Sequence, residues 1–191
     1  LGETGTDTLL DKMFPENSAR LSAQKQAPLR IIMGNPPYSV GQKSANDNAQ
    51  NQKYNHLDQR IADTYAKATN ATNKNSLYDS YIKAFRWASD RLDSEQGGII
   101  AFVSNGAWLD GNSSSGFRKC LEQEFSSIYV FNLRGNARTQ GELRRKEAGN
   151  VFDSGSRTPI AITLLVKKPT TKFPSFGGAG VDKATIYYHD I

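Results

Sequence analysis

Asn35-Pro36-Pro37-Tyr38 is the stretch whose residue types could do chemistry. Two consecutive prolines fix φ and carry no N–H, so the carbonyls before them stay free to accept hydrogen bonds. Asn35 adds a side-chain oxygen to that cluster of acceptors and, standing before a proline, is held extended. Tyr38 offers a flat face on which a nucleobase can stack. An amine with two N–H bonds, such as the exocyclic amino group of adenine or an amide nitrogen, would meet two acceptors here and a platform beneath its ring. The plainer reading of the same four residues is a proline-rich surface turn.

Position favours the chemical reading. Residues 29–33, Leu-Arg-Ile-Ile-Met, read as a short apolar strand delivering this loop at its carboxyl end. In open α/β sheets ligands bind outside the carboxyl ends of strands. Further along, residues 99–103 form a continuous apolar run, the mark of a strand buried on both faces of a parallel sheet. Residues 128–133 and 160–166 read as two more strands and 184–189 as a last one. Helical spacing is predicted for 56–68, for a helix opening at Ser76-Leu77-Tyr78-Asp79 like a capping box, and for 113–125. The alternation predicts an α/β fold with a doubly wound, mostly parallel sheet.

The polar segments carry two readings each. Residues 40–55 are either a surface loop or a loop that orders on substrate. The stripe Tyr81, Ile82 and Phe85 is core, whereas Leu77 and Tyr78 stand where a ligand lying across the strand ends would touch the helix. Residues 134–150 gather Arg134, Arg138, Arg144, Arg145 and Lys146 against Glu142 and Glu147. They form a solvated face or a phosphate-contacting loop. Residues 8–14 could form a short helix, and 176–180 a glycine-rich turn.

Composition narrows the class. The 191 residues suit one α/β domain, with a polar segment 1–28 ahead of residues 29–191. A net charge of +5 favours a polyanionic partner mildly, because 19 acidic residues are interspersed. The single cysteine, Cys120, excludes an internal disulfide and suits a reducing cytoplasm. With that cysteine and the distant His56 and His189, no metal-site spacing exists. Nothing approaches the roughly 20 apolar residues of a membrane span. Lacking an initiating methionine and stopping inside an apparent strand, the chain is expected to be part of a longer polypeptide.

Asn-Pro-Pro-Tyr after an apolar strand resembles the catalytic motif of amino-methyltransferases that use S-adenosylmethionine. The order of parts is similar to the later half of adenine-N6 DNA methyltransferases. The wording of Gly34 to Gln42 and of Ser76-Leu77-Tyr78-Asp79-Ser80-Tyr81 through Arg91 looks most like the single-chain Type ISP restriction–modification enzymes. The resemblance covers about residues 8–191 and implies a Rossmann-like catalytic domain, here partial, with 1–28 as the end of the missing cofactor-binding half and 29–191 as the catalytic half. It also implies flanking nuclease, helicase-like and target-recognition domains in the same polypeptide, and double-stranded DNA as partner. The glycine-rich cofactor loop that should precede the Asn-Pro-Pro-Tyr strand is absent from this chain.

The mechanism implied is base flipping and direct methyl transfer to N6. Asn35, Pro36, Pro37 and Tyr38 would be catalytic, with Tyr38 and Phe152 stacking on the flipped base. Asn35, Leu77 and Tyr78 would border the cofactor. Arg138, Arg144, Arg145 and Lys146 would contact DNA phosphate. Two rival readings remain open: a protein-glutamine or RNA methyltransferase using the same tetrapeptide, and a catalytically silent DNA-binding fragment. Alone, the 191 residues are expected to be inactive.

Overall fold

The computed structural model describes residues 15–37, 53–93, 95–137, 139–147, 158–169 and 183–191. Five strands form one sheet: β1 (Ile31–Gly34), β2 (Gly98–Asn105), β3 (Ser127–Asn132), β4 (Ile160–Lys167) and β5 (Thr185–Asp190). Their spatial order is β1-β2-β4-β3-β5. β1 lies parallel to β2 and β3 parallel to β5, whereas β4 runs antiparallel to both of its neighbours. Four strands thus share a direction and β4 opposes them. The α/β class and the mostly parallel direction hold, but the sheet is mixed. β4 returns from β3 as an antiparallel neighbour, which needs no helical crossover.

Five α-helices are described: α1 (Pro15–Gln26), α2 (Asn55–Ile61), α3 (Ser80–Arg91), α4 (Ser115–Glu124) and α5 (Gly141–Lys146). α1 lies in the polar segment 1–28, where the only helix expected was the candidate at 8–14, which lies outside the described residues. Its first residue is a proline, Glu16 sits in its first turn and Lys25 in its last, all favourable to a helix. It buries no residue, and for want of an apolar stripe its sequence gave no periodic signal. α2 continues into a π-helical turn, Ala62–Ala66. The capping box expected at Ser76 to Asp79 is not formed. Residues Asn75–Tyr78 make a tight 3-10 turn, α3 starts only at Ser80, and the Ser76 hydroxyl meets that of Ser113 at 2.6 Å.

One sheet face carries the core. Tyr81, Ile82, Phe85 and Ala88 on α3 are buried, as their helical spacing requires, against Ile32, Ile100, Phe102, Ile128 and Leu165 of the sheet. Each large apolar side chain among them, such as Ile82 or Phe85, contributes about 1.5–3 kcal/mol through burial. Phe117 and Leu121 bring α4 into the same core. On the opposite face Ile31, Met33 and Ile162 stay exposed, so β2 is not buried on both sides among the described residues. Two close approaches set the spacing. A Cβ on Gly98 would come within 2.4 Å of the Arg30 carbonyl oxygen, which draws β2 tight against β1. A Cβ on Gly116 would come within 2.1 Å of the Tyr65 carbonyl oxygen, so α4 meets the π-helical turn backbone to backbone.

Charged groups tie the helices on the far side of the core. Arg86 is 2% exposed, grips Glu124 with two bonds of 2.7 and 2.9 Å, reaches Asp90 at 2.8 Å, and lies over the Tyr65 ring. Arg60 adds two bonds to the same Asp90 carboxylate. Burial alone would raise the Asp90 carboxyl, but the bonds and charges of Arg60 and Arg86 outweigh it and hold it below its usual value.

The backbone contact at Gly116 yields a direct test. Gly116→Ala is expected to destabilise the fold by about 1–3 kcal/mol or more, since the obstructing atoms are main-chain and cannot rotate away. Urea denaturation followed by circular dichroism reads this as a lowered midpoint.

Candidate functional site

The strand directions gather four carboxyl ends, those of β1, β2, β3 and β5, at one end of the sheet. β1 reaches it with Gly34 and releases Asn35-Pro36-Pro37, of which Pro36 is buried while Asn35 and Pro37 are exposed. The buried proline anchors the loop and the neighbouring carboxamide is left to face outward. Tyr38 lies outside the described residues.

β2 reaches the same end with Ser104 and Asn105, both buried. The Asn105 side-chain oxygen accepts the Ala107 N–H at 2.9 Å, capping the tight turn Gly106–Trp108 that follows. The Gly106 N–H is accepted by the Pro159 carbonyl at 2.8 Å. From α4, Arg118 donates to the carbonyls of Trp108 at 2.6 Å and Gly111 at 2.9 Å. The turn is therefore held by three separate elements. The polar end of this strand was legible in Ser104-Asn105-Gly106, but Arg118 was not, because its partners are main-chain carbonyls that leave no residue pattern.

β3 ends in Asn132 and continues into Arg134, whose φ of 54° is left-handed. The Asn132 side-chain oxygen accepts the Arg134 N–H at 3.0 Å, and the Arg134 guanidinium pairs with Asp190 at the end of β5. Arg134, the first residue of the basic stretch, is thereby engaged within the fold. Farther along, the Asn136 N–H donates to Glu147 at 2.8 Å, folding the connection back on α5. Arg145 on α5 is exposed. The side chains of Arg144 and Lys146, and the whole of Arg138 and Phe152, fall outside the described residues.

Leu77 and Tyr78 sit on the tight turn before α3. Leu77 is 0% exposed and belongs to the core, so its side chain anchors the turn from beneath. Tyr78 is half-buried and is the ring of this turn that reaches the surface. Hydroxyl pairs at 2.6 Å, Ser76 with Ser113 and Thr69 with Ser115, fasten the turn and its preceding loop to the start of α4. Among the described residues, no group of three or more His, Cys, Asp or Glu is placed to hold a metal ion, and no helix is long and apolar enough to cross a membrane.

No family model matches the sequence, and no curated protein does. Solved structures do. Against a nuclease-deletion mutant of the Type ISP restriction–modification enzyme LlaGI in complex with a DNA substrate mimic, identity is 46% and the TM-score 0.81. The match covers 98% of this chain and 14% of that one. The ATP-dependent Type ISP restriction–modification enzyme LlaBIII bound to DNA matches at 39% identity and a TM-score of 0.82, over 99% of this chain and 12% of that. A DrdV–DNA complex matches at 39% identity and 0.77, over 92% and 16%.

The capped turn after β2 can be probed alone. Asn105→Ala is expected to cost about 0.5–2 kcal/mol by removing the cap acceptor, with the sheet retained. A lower thermal midpoint with unchanged far-ultraviolet dichroism is the measurement. Over nearly its whole length the chain is thus similar, in backbone and in sequence, to one segment of Type ISP restriction–modification enzymes.

Proposed function

We propose that this chain is the base-gripping half of an S-adenosylmethionine-dependent adenine-N6 DNA methyltransferase within a restriction–modification polypeptide. The observation that carries the reading is the loop after β1. Asn35 stands exposed between a strand end and a buried proline, at the end of the sheet where four carboxyl termini gather. The similarity to DNA-bound Type ISP enzymes supports the same reading, and with it duplex DNA as the partner.

The loop's work is positional and electrostatic. A target adenine, flipped from its duplex at a cost of a few kcal/mol, would present N6 to the loop. The Asn35 side-chain oxygen and the Pro36 carbonyl would accept its two N–H bonds, drawing the nitrogen lone pair out of conjugation with the ring. Tyr38 and Phe152 would hold the ring by stacking worth about 1–3 kcal/mol per base. Acceptors fixed in advance by two prolines need no reorganisation when charge develops on that nitrogen. No side chain of shifted acidity is required.

S-adenosylmethionine supplies the electrophilic methyl group when bound. The residues present fit one side of it: the half-buried Tyr78 on its core-anchored turn would border the adenine, and Asn35 would stand by the reacting end. The glycine-rich turn whose backbone amides would meet the cofactor's amino-acid moiety is not found ahead of β1 in this sequence. Among the described residues β1 is an edge strand of the sheet, and that edge is where the remaining contacts would be supplied. The 191 residues alone are accordingly expected to be catalytically silent, and calorimetry with S-adenosylmethionine checks this by showing no micromolar binding.

In a polypeptide that carries the whole domain, Asn35→Ala should lower methyl transfer on the order of 100-fold or more and leave DNA affinity nearly intact. Normal turnover with weakened DNA binding would contradict the role. Changing Arg144, Arg145 and Lys146 together to Ala should weaken binding evenly across DNA sequences and flatten its salt dependence by up to about three units of slope. An unchanged slope in a salt titration would leave these charges as a solvated face.

A further inference from the structure

Two turns near the carboxyl end of the sheet are both fastened to residues 113–118, where α4 begins. The first is Asn75–Tyr78, the turn that carries Tyr78. Leu77 anchors it from beneath, and the Ser76 hydroxyl meets that of Ser113 at 2.6 Å. The loop leading into it is tied in the same way, Thr69 to Ser115 at 2.6 Å. The second turn belongs to the connection from β2 to α4, which opens with Gly106–Trp108. The Gly111 carbonyl there accepts both the Ser114 N–H at 3.1 Å and the Arg118 Nη1 at 2.9 Å. The same Nη1 reaches the Trp108 carbonyl at 2.6 Å. A single guanidinium nitrogen thus brackets Leu109 and Asp110 and fixes the connection on both sides of them.

Strand register ties this connection to the loop after β1. Gly34 pairs with Phe102, so continuing the register sets Asn35 level with Val103 and the buried Pro36 level with the buried Ser104. The chain beyond Ser104 is therefore the neighbour of the loop. Its first turn is held already: Asn105 caps it, Gly106 bonds to Pro159, and the Trp108 ring is 3% exposed against Phe85 and Phe117. Beyond Trp108 the chain becomes more exposed, through Leu109 to Asp110, and there Arg118 supplies side-chain bonds. A cation engaged on two neutral carbonyls, past the part of the turn that the core secures, sets the position of that exposed part.

We propose that the start of α4 positions the two halves of the site through separate side chains. Ser113, through Ser76, sets the turn that borders the cofactor. Arg118, through the Trp108 and Gly111 carbonyls, sets the wall beside Asn35 and Pro36. Both are positioning residues, which reach the reacting groups only through the turns they hold. The inference rests on the methyl-transfer reading and assigns each bond a different consequence. Loosening the Ser76 turn weakens the hold on the cofactor. Loosening the wall beside Asn35 disturbs the line between the amine and the methyl group, where a displacement of about 1 Å can cost on the order of 100-fold in rate.

The test uses the longer polypeptide that carries the whole domain, tritiated S-adenosylmethionine, and genomic DNA from a strain without adenine methylation. Digestion to nucleosides locates the label. Calorimetry reads cofactor affinity, and single turnover at saturating cofactor reads the transfer rate. Ser113→Ala is expected to weaken cofactor binding about 2- to 10-fold, and to do so more than it slows transfer. Arg118→Met keeps the aliphatic stem and removes the donors. It is expected to slow transfer about 10- to 100-fold, more than it weakens cofactor binding. Arg118→Lys, whose cation still reaches one carbonyl, should recover about tenfold of that loss, and it carries the same split in milder form where the methionine variant fails to fold. Parallel changes in both constants, splits in the reverse sense, or no recovery by lysine would overturn the inference, while adenine methylation by the unaltered polypeptide keeps the methyl-transfer reading. No label on adenine from the unaltered polypeptide would overturn both.

Discussion

Phe85 is the contact on which the rest of the arrangement depends. Its ring is fully buried and meets Phe102 of β2 at 5.0 Å, Phe117 of α4 at 5.3 Å and Trp108 of the turn after β2 at 6.3 Å, all at steep angles. Edge-to-face geometry of this kind adds about 0.5–1.5 kcal/mol per pair beyond area burial. More to the point, it makes one side chain the junction of a helix, a strand, a strand-end turn and a second helix. The carboxyl end of β2 is set by that junction, and β1 takes its register from β2.

Around the aromatic centre the charged residues of α3 face the other way. Lys83 and Arg86 are 4% and 2% exposed, yet each is partnered, Lys83 by Asp58 at 2.6 Å and Arg86 by Glu124 and Asp90. Buried charges of this sort contribute geometry more reliably than free energy, because desolvation offsets most of the attraction. Their partners lie on α2, α4 and α3 itself, so the network fixes how three helices sit together above the sheet.

That rigid block is one-sided. It holds β1 by one edge and one face, through Ile32 in the core and through the ladder to β2, and among the described residues no strand pairs with the other edge. The loop bearing Asn35 therefore emerges from an edge strand of the described sheet.

Much of this was readable from residue order. Period-3.6 stripes placed α3 and α4, apolar runs placed all five strands to within two residues, and Asn35-Pro36-Pro37 was expected at a strand's carboxyl end, where it stands. These features are local, set by side-chain periodicity and by the stiffness of proline. The sequence missed α1, whose helix signals are termini rather than a stripe, and it took the apolar run of β2 as evidence of burial on both faces. Only the tertiary structure decided the reversal of β4, because antiparallel and parallel strands with the same hydrophobic pattern look alike until they pair. It alone showed Arg134 engaged with Asp190 and Arg118 holding the turn after β2, contacts made across 56 residues in the first case and to main-chain carbonyls in the second. Contacts of that kind follow from the chain's path, and no spacing of residue types announces them.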